Sequence, residues 1–270
     1  MSERKQADLF ERLRYRGQPL ANPDSMVVSD HARFTVLTSR LVRLEWSETG
    51  VFEDRGTYAF PTRHASAPSF RTGIDGNTLE LATGPLTLRY AQGSGKFTAA
   101  NLSISFEFDG VQHTWAPGTP LDQPSSTAFP SDPANLRGTR RTLDGCDGDA
   151  ALEEGLLSRA GWALFDDSRS VRFDPSDGWV LPPRANQVQD WYFFGYGHDY
   201  KAALADYTRF GGPIPLIPRY VLGAWWSRYW VYSDQDLKDL VGEFEAHDLP
   251  LDVLVVDMDW HTPHSWTGYT

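Results

Sequence analysis

The stretch Leu251-Asp252-Val253-Leu254-Val255-Val256-Asp257-Met258-Asp259-Trp260, with His261 after it, decides the fold. Val253, Leu254, Val255 and Val256 form an unbroken apolar run, which is the pattern of a strand covered on both faces. Upstream, residues 220–226 make a second apolar run. Between the two, Ser233 is placed to cap a helix, and Asp236 three residues on gives a variant of the capping box. Leu237, Leu240, Val241 and Phe244 then recur at helical spacing, and Leu249-Pro250 stops the helix. Strand, helix and strand in this order make a βαβ unit, whose strands pair in parallel.

Moving toward the N-terminus, Pro213, Pro215 and Pro218 form a stiff linker, because each proline disfavours helix in the residue before it. Before the linker, Asp199 caps a helix predicted over residues 200–210, with Tyr200, Ala203, Leu204 and Tyr207 on its apolar face. Gly211-Gly212 ends it, since glycine tolerates the left-handed conformation past a helix C-terminus. Earlier still the period changes. Short runs at 34–37, 41–46, 78–83, 86–90, 102–108, 111–115, 156–158, 162–166 and 187–194 read as strands separated by turn residues. Asp109-Gly110 between two alternating runs predicts a tight hairpin of type I′. Closely spaced strands of this kind predict an antiparallel β-sandwich. The division is therefore a polar arm over 1–25, a sandwich with a terminal helix over 26–212, and the start of a parallel α/β domain over 213–270.

Composition narrows the function. The 270 residues are 40% hydrophobic and 23% charged, which excludes a disordered or collagen-like chain. The formal net charge of −11 argues against nucleic acid and anionic membrane surfaces as partners. Cys146 is the single cysteine, so no internal disulfide can form, as suits a reducing compartment. No apolar run follows the charged N-terminus as a secretory signal requires, and a cytoplasmic location is expected. The sequence does not set an oligomeric state.

Two constellations carry chemistry. The first is Asp257, Asp259 and His261 at the end of the buried strand, where α/β folds place ligand sites. Carboxylates buried there need partners. An Asp-x-Asp reading, with a divalent metal and a nucleotide sugar, competes with solvated acids at the head of a loop. A zinc reading from His261 and His264 lacks a third ligand. The second is Trp225-Trp226-Ser227-Arg228-Tyr229-Trp230 at the end of the preceding strand. Flat aromatic faces suit the C–H faces of sugars, and they suit a core equally well. The run containing Asp144, Asp147 and Asp149 fails the EF-hand spacing and reads as an acidic turn. Gly195-Tyr196-Gly197 lacks the third glycine of a dinucleotide fingerprint.

Taken in order, 190–200, the proline linker, 222–229 and 250–260 resemble glycoside hydrolase family 31, the α-glucosidases and α-xylosidases. Residues 135–139, 143–145 and 155–162 are similar to that family's N-terminal domain. The resemblance implies a galactose-mutarotase-like β-sandwich before a (β/α)8 TIM barrel, with 222–229 as barrel strand one and 253–257 as strand two. It implies that Asp257 hydrogen-bonds hydroxyls of the terminal sugar and that Met258 is an apolar pocket residue. Tyr229 or Trp230 matches a pocket aromatic, and Arg228 and Asp259 complete the substrate-binding set. The implied chemistry is retaining hydrolysis of α-glycosides, most readily α-glucosides, by a nucleophilic Asp and a separate acid/base, with no metal or organic cofactor. A full barrel takes about 250 residues. Both catalytic carboxylates are accordingly expected beyond Thr270, the chain by itself is expected to be inactive, and residues 213–270 are expected to expose apolar surface. The competing reading is a non-catalytic sandwich that binds carbohydrate or protein.

Overall fold

The computed structural model describes residues 16–120, 134–138, 150–176, 179–185, 187–214 and 216–257. The chain divides into two compact units, Met1–Pro213 and Ile214–Thr270.

In the first unit, β1 (Met26–Ser29), β2 (Ala32–Thr38), β3 (Leu41–Ser47), β4 (Arg71–Asp75), β5 (Thr78–Ala82), β6 (Leu86–Ala91), β7 (Leu102–Phe108) and β8 (Val111–Trp115) follow one another. They are succeeded by β9 (Ala163–Asp166), the short pair β10 (Arg172–Phe173) and β11 (Val180–Leu181), and β12 (Val188–Phe194). Two five-stranded antiparallel sheets result, ordered β1-β2-β3-β12-β9 and β4-β5-β6-β7-β8. Strand alternation explains how they share a core, since side chains two apart point the same way. Phe34, Val42, Leu44 and Phe193 of the first sheet and Leu81, Leu88, Ile104, Phe106 and Trp115 of the second form one buried cluster. Asp109 and Gly110 both take positive φ, 53° and 73°, as the predicted hairpin requires.

The second face of the first sheet is buried as well. Leu41, Tyr192 and Phe194 pack there with Phe60 and with Ala203 and Phe210 of α1 (Tyr200–Gly211). The Asp199 side chain accepts the Ala202 N–H to start this helix, and Gly212 leaves it at φ 95°. Leu204, expected on the core face, is 44% exposed, and Phe210 is buried in its place. The expected strand at 156–158 is only an isolated bridge, Asn135 to Ser158. Residues 16–25 are not a loose arm throughout. The Arg63 N–H donates to the Gln18 carbonyl at 2.8 Å, and Ala21 and Ser25 are buried.

In the second unit, β13 (Trp225–Trp226) pairs in parallel with β14 (Val253–Leu254), and α2 (Asp234–Ala246) connects them. The capping box of α2 forms in both directions between Ser233 and Asp236. Its half-buried residues include the predicted Leu237, Leu240, Val241 and Phe244. Two expectations are corrected. The first strand is two residues long and not the whole of 222–229, because Arg219–Leu222 coils into a 3-10 turn. Nor are the strands covered on both faces, since Trp225 and Val256 are 54% and 49% exposed.

Candidate functional site

The second unit's site is built from the register of its strand pair. Trp225 lies opposite Val253 and Trp226 opposite Leu254. Just before the pairing, the Asp252 carboxylate accepts the Ala224 N–H at 2.9 Å, and the Asp252 N–H donates to the Ala224 carbonyl at 2.9 Å. A Cβ at Gly223 would sit 2.1 Å from that carboxylate, so only glycine allows it. Just after the pairing, the Val255 N–H donates to the Trp226 carbonyl at 2.9 Å. Because the pairing is parallel, residues 227–230 and 255–257 leave the same end of the strand pair.

At that end Arg228 lies over the Trp230 ring, with its guanidinium carbon 4.3 Å from the centroid, a cation–π contact. Tyr229 and Trp230 are 67% and 55% exposed. Trp226 turns the other way and meets Phe244 of α2 edge-on at 5.4 Å, so it packs the helix and does not face a ligand. Asp257 is half-buried at the exit of β14. Met258, Asp259, His261 and His264 lie outside the described residues, as does the run of Asp144, Asp147 and Asp149. Among the described residues no group of three or more His, Cys, Asp or Glu could hold a metal ion. No helix among them is long and apolar enough to cross a membrane.

The N-terminal motifs of the resemblance are clips. The Asn135 side chain accepts the Gly155 and Arg137 N–H groups at 2.7 and 2.8 Å and donates to the Gly155 carbonyl at 2.9 Å. A Cβ on Gly155 would lie 2.6 Å from the Arg137 carbonyl oxygen. Gly195 is likewise a packing glycine, since its Cβ would meet the Leu86 side chain at 2.6 Å.

Sequence reasoning missed a buried ionic network in the first unit. Arg43 and Arg184 bond the Asp190 carboxylate at 2.6 and 2.8 Å, Arg33 and Arg43 bond Glu45 at 2.7 and 3.0 Å, and Arg172 bonds Glu53 at 2.9 Å. Burial opposes the charge on Asp190, yet Arg43 and Arg184 hold its carboxyl well below the usual carboxylate range. Asp167 accepts the Thr57 hydroxyl at 2.7 Å; burial, then the charge on Asp190, pushes its carboxyl up to about 6. Charged residues at alternate strand positions resemble a solvated face, so no signal short of the covering segment at 51–65 could have revealed this network.

The architecture is that of an antiparallel two-sheet unit followed by a parallel strand–helix–strand unit. A model of the glycosyl hydrolases family 31 TIM-barrel domain matches residues 214–270. The α-xylosidase of Saccharolobus solfataricus is 27% identical over 122 residues, 42% of this chain and 16% of that protein. α-Glucosidase 2 of Bacillus thermoamyloliquefaciens is 31% identical over 109 residues, 39% of this chain and 13% of that protein. Among solved structures, the family 31 dextranase of Flavobacterium johnsoniae in complex with glucose has a TM-score of 0.54 at 16% identity, covering 86% of this chain and 32% of that one. The family 31 α-xylosidase of Xanthomonas citri has a TM-score of 0.51 at 13% identity, covering 85% and 44%. These two likenesses speak to the fold. Residues 214–270 are thus similar to the barrel domain of glycosyl hydrolases family 31, and the chain spans only 16% and 13% of the length of these two curated relatives.

Proposed function

We propose that this chain belongs to an α-glycosidase that removes terminal sugars from α-linked oligosaccharides, α-glucosides foremost, by the retaining two-carboxylate route. In this reading the two sheets are the family's galactose-mutarotase-like sandwich, and 214–270 begins its barrel. The observation that carries it is the parallel pairing of β13 with β14, which sends the Arg228–Trp230 pair and Asp257 out of the same end. Active sites of barrels of this kind sit at that end of the strands.

Asp257 then accepts hydrogen bonds from hydroxyls of the terminal sugar. Tyr229 and Trp230 offer ring faces to its C–H face, and Met258 and Asp259 complete the sugar-binding set in this reading. Arg228, stacked on Trp230, fixes that ring and supplies N–H donors. One carboxylate attacks the anomeric carbon as a second carboxylic acid protonates the departing oxygen. Water then enters under base catalysis by that second group and releases the sugar. We assign neither carboxylate within residues 1–270.

The test is hydrolysis of nitrophenyl α-glucoside and α-xyloside by the polypeptide as its native cell makes it. The expected result is turnover, unaffected by a chelator, with the glucoside preferred. A hydrogen bond to a charged group contributes about 1.5–3 kcal/mol, so Asp257→Asn should lower kcat/KM by at least about tenfold. Metal-dependent transfer from a nucleotide sugar, or an unchanged kcat/KM in the variant, would overturn the reading.

A further inference from the structure

We propose that the cleft between the β7–β8 hairpin and the turns at 158–162 and 197–200 is a carbohydrate-binding site on the two-sheet unit, taking a neutral pyranose of an α-linked oligosaccharide. The choice of carbohydrate rests on the family reading above; the site itself rests on geometry. The cleft encloses about 600 Å³, within the range of small-molecule sites.

Its floor is aromatic and held in place. Gly161 and Gly197 both take positive φ, 77° and 57°, and a Cβ on either would lie 2.6 or 2.9 Å from the Phe108 side chain. Two left-handed glycines therefore press on this one side chain, Gly161 on its ring and Gly197 on its Cβ. His113 stacks on Phe108 with centroids 4.1 Å apart and planes at 20°, and the Trp162 indole extends the floor. Flat stacked rings suit the C–H face of a sugar.

The rim is polar and equally fixed. His198 is clamped, its Nδ1 3.2 Å from an Asp109 carboxylate oxygen and its Nε2 2.9 Å from the Arg159 carbonyl. Asp109 itself sits in the tight hairpin turn at φ 53°. Asp109 and Arg159, of opposite charge, both line the opening. Such a rim offers both acceptors and donors. It matches a ring of hydroxyls better than a phosphate or an ammonium group.

The probe is maltotriose, titrated calorimetrically into the whole chain. The expected result is saturable binding that Arg159→Ala and His113→Ala each weaken at least fivefold. Thermal melts run alongside. Because His113 packs on Phe108 and its loss could disturb the fold, the exposed Arg159 side chain is the deciding position. Absence of saturable binding, or full affinity in a folded Arg159→Ala variant, overturns the inference. Hydrolysis by the native polypeptide separates the two claims. Turnover without cleft binding sinks the inference alone, and cleft binding without turnover sinks the glycosidase reading alone.

Discussion

Arg43 is fully enclosed and depends on Asp190 and Glu45 for the hydration it has lost. Removing one partner of a buried ion pair leaves the other charge uncompensated, at a cost of about 3–5 kcal/mol. Asp190→Ala should therefore destabilise the first unit by about that amount in a urea melt; a loss under about 1 kcal/mol would refute the account. Asp167 behaves oppositely. Its carboxyl is raised from 3.8 to about 6 in the folded chain, so the native state holds its proton more tightly than the unfolded state. Its stabilising contribution is full below about pH 3.8 and is lost as pH rises through about 6. The shift corresponds to about 3 kcal/mol. Asp167→Asn should remove this slope, so the variant gains on the parent between pH 4 and pH 7. Parallel stability profiles for the two proteins would contradict it. The sequence shows these charges but not their burial, because Arg43 and Glu45 alternate with Val42 and Leu44 as a solvated strand face would.

At the scale of elements, the β13–β14 pair begins at one close contact, beside its backbone hydrogen bonds. The Asp252 carboxylate occupies the space above Gly223 and accepts the Ala224 N–H. We expect Gly223→Ala to weaken hydrogen-exchange protection at Val253 and Val255, and to cost little more once Asp252→Gly has emptied that space, since the Asp252 Cβ itself would lie 2.7 Å from the new methyl group. Interaction energies between touching residues run to about 0.5–3 kcal/mol, so the double-mutant cycle should show coupling of that size. Additive effects would mean that the carboxylate does not set the register. Much at this scale was legible beforehand. The Ser233–Asp236 box, the Asp199 cap and the Asp109-Gly110 turn are local chemistry, and each forms as read. The length of β13 was not legible, because an apolar run does not reveal that Arg219–Leu222 coils into a 3-10 turn.

At the scale of the molecule, the two units differ in how their apolar residues are covered. The first encloses two clusters, one between its sheets and one beneath α1. In the second, Tyr220, Leu222, Trp225, Tyr229, Trp230 and Val231 are each more than half exposed. Apolar patches of this kind bind hydrophobic dyes and open easily to proteases. The 270-residue chain should accordingly enhance the fluorescence of such a dye, and limited proteolysis should cut within 214–257 before it cuts within the strands of the two five-stranded sheets. A dye-silent chain with a protease-resistant 214–257 would overturn this expectation.

What the sequence determined by itself is what short range decides. Periods of two and of 3.6, caps, tight turns and the order of motifs from 190 to 260 are written within a few residues of one another, and they suffice for the two-part architecture. Tertiary structure alone decided which polar residues are buried, that Gly161 and Gly197 close on Phe108, and that Asp252 fills the space over Gly223. Each of these joins residues that lie far apart in the chain. The energies concerned, desolvation and steric exclusion, depend on what covers a side chain, and no local pattern encodes that cover.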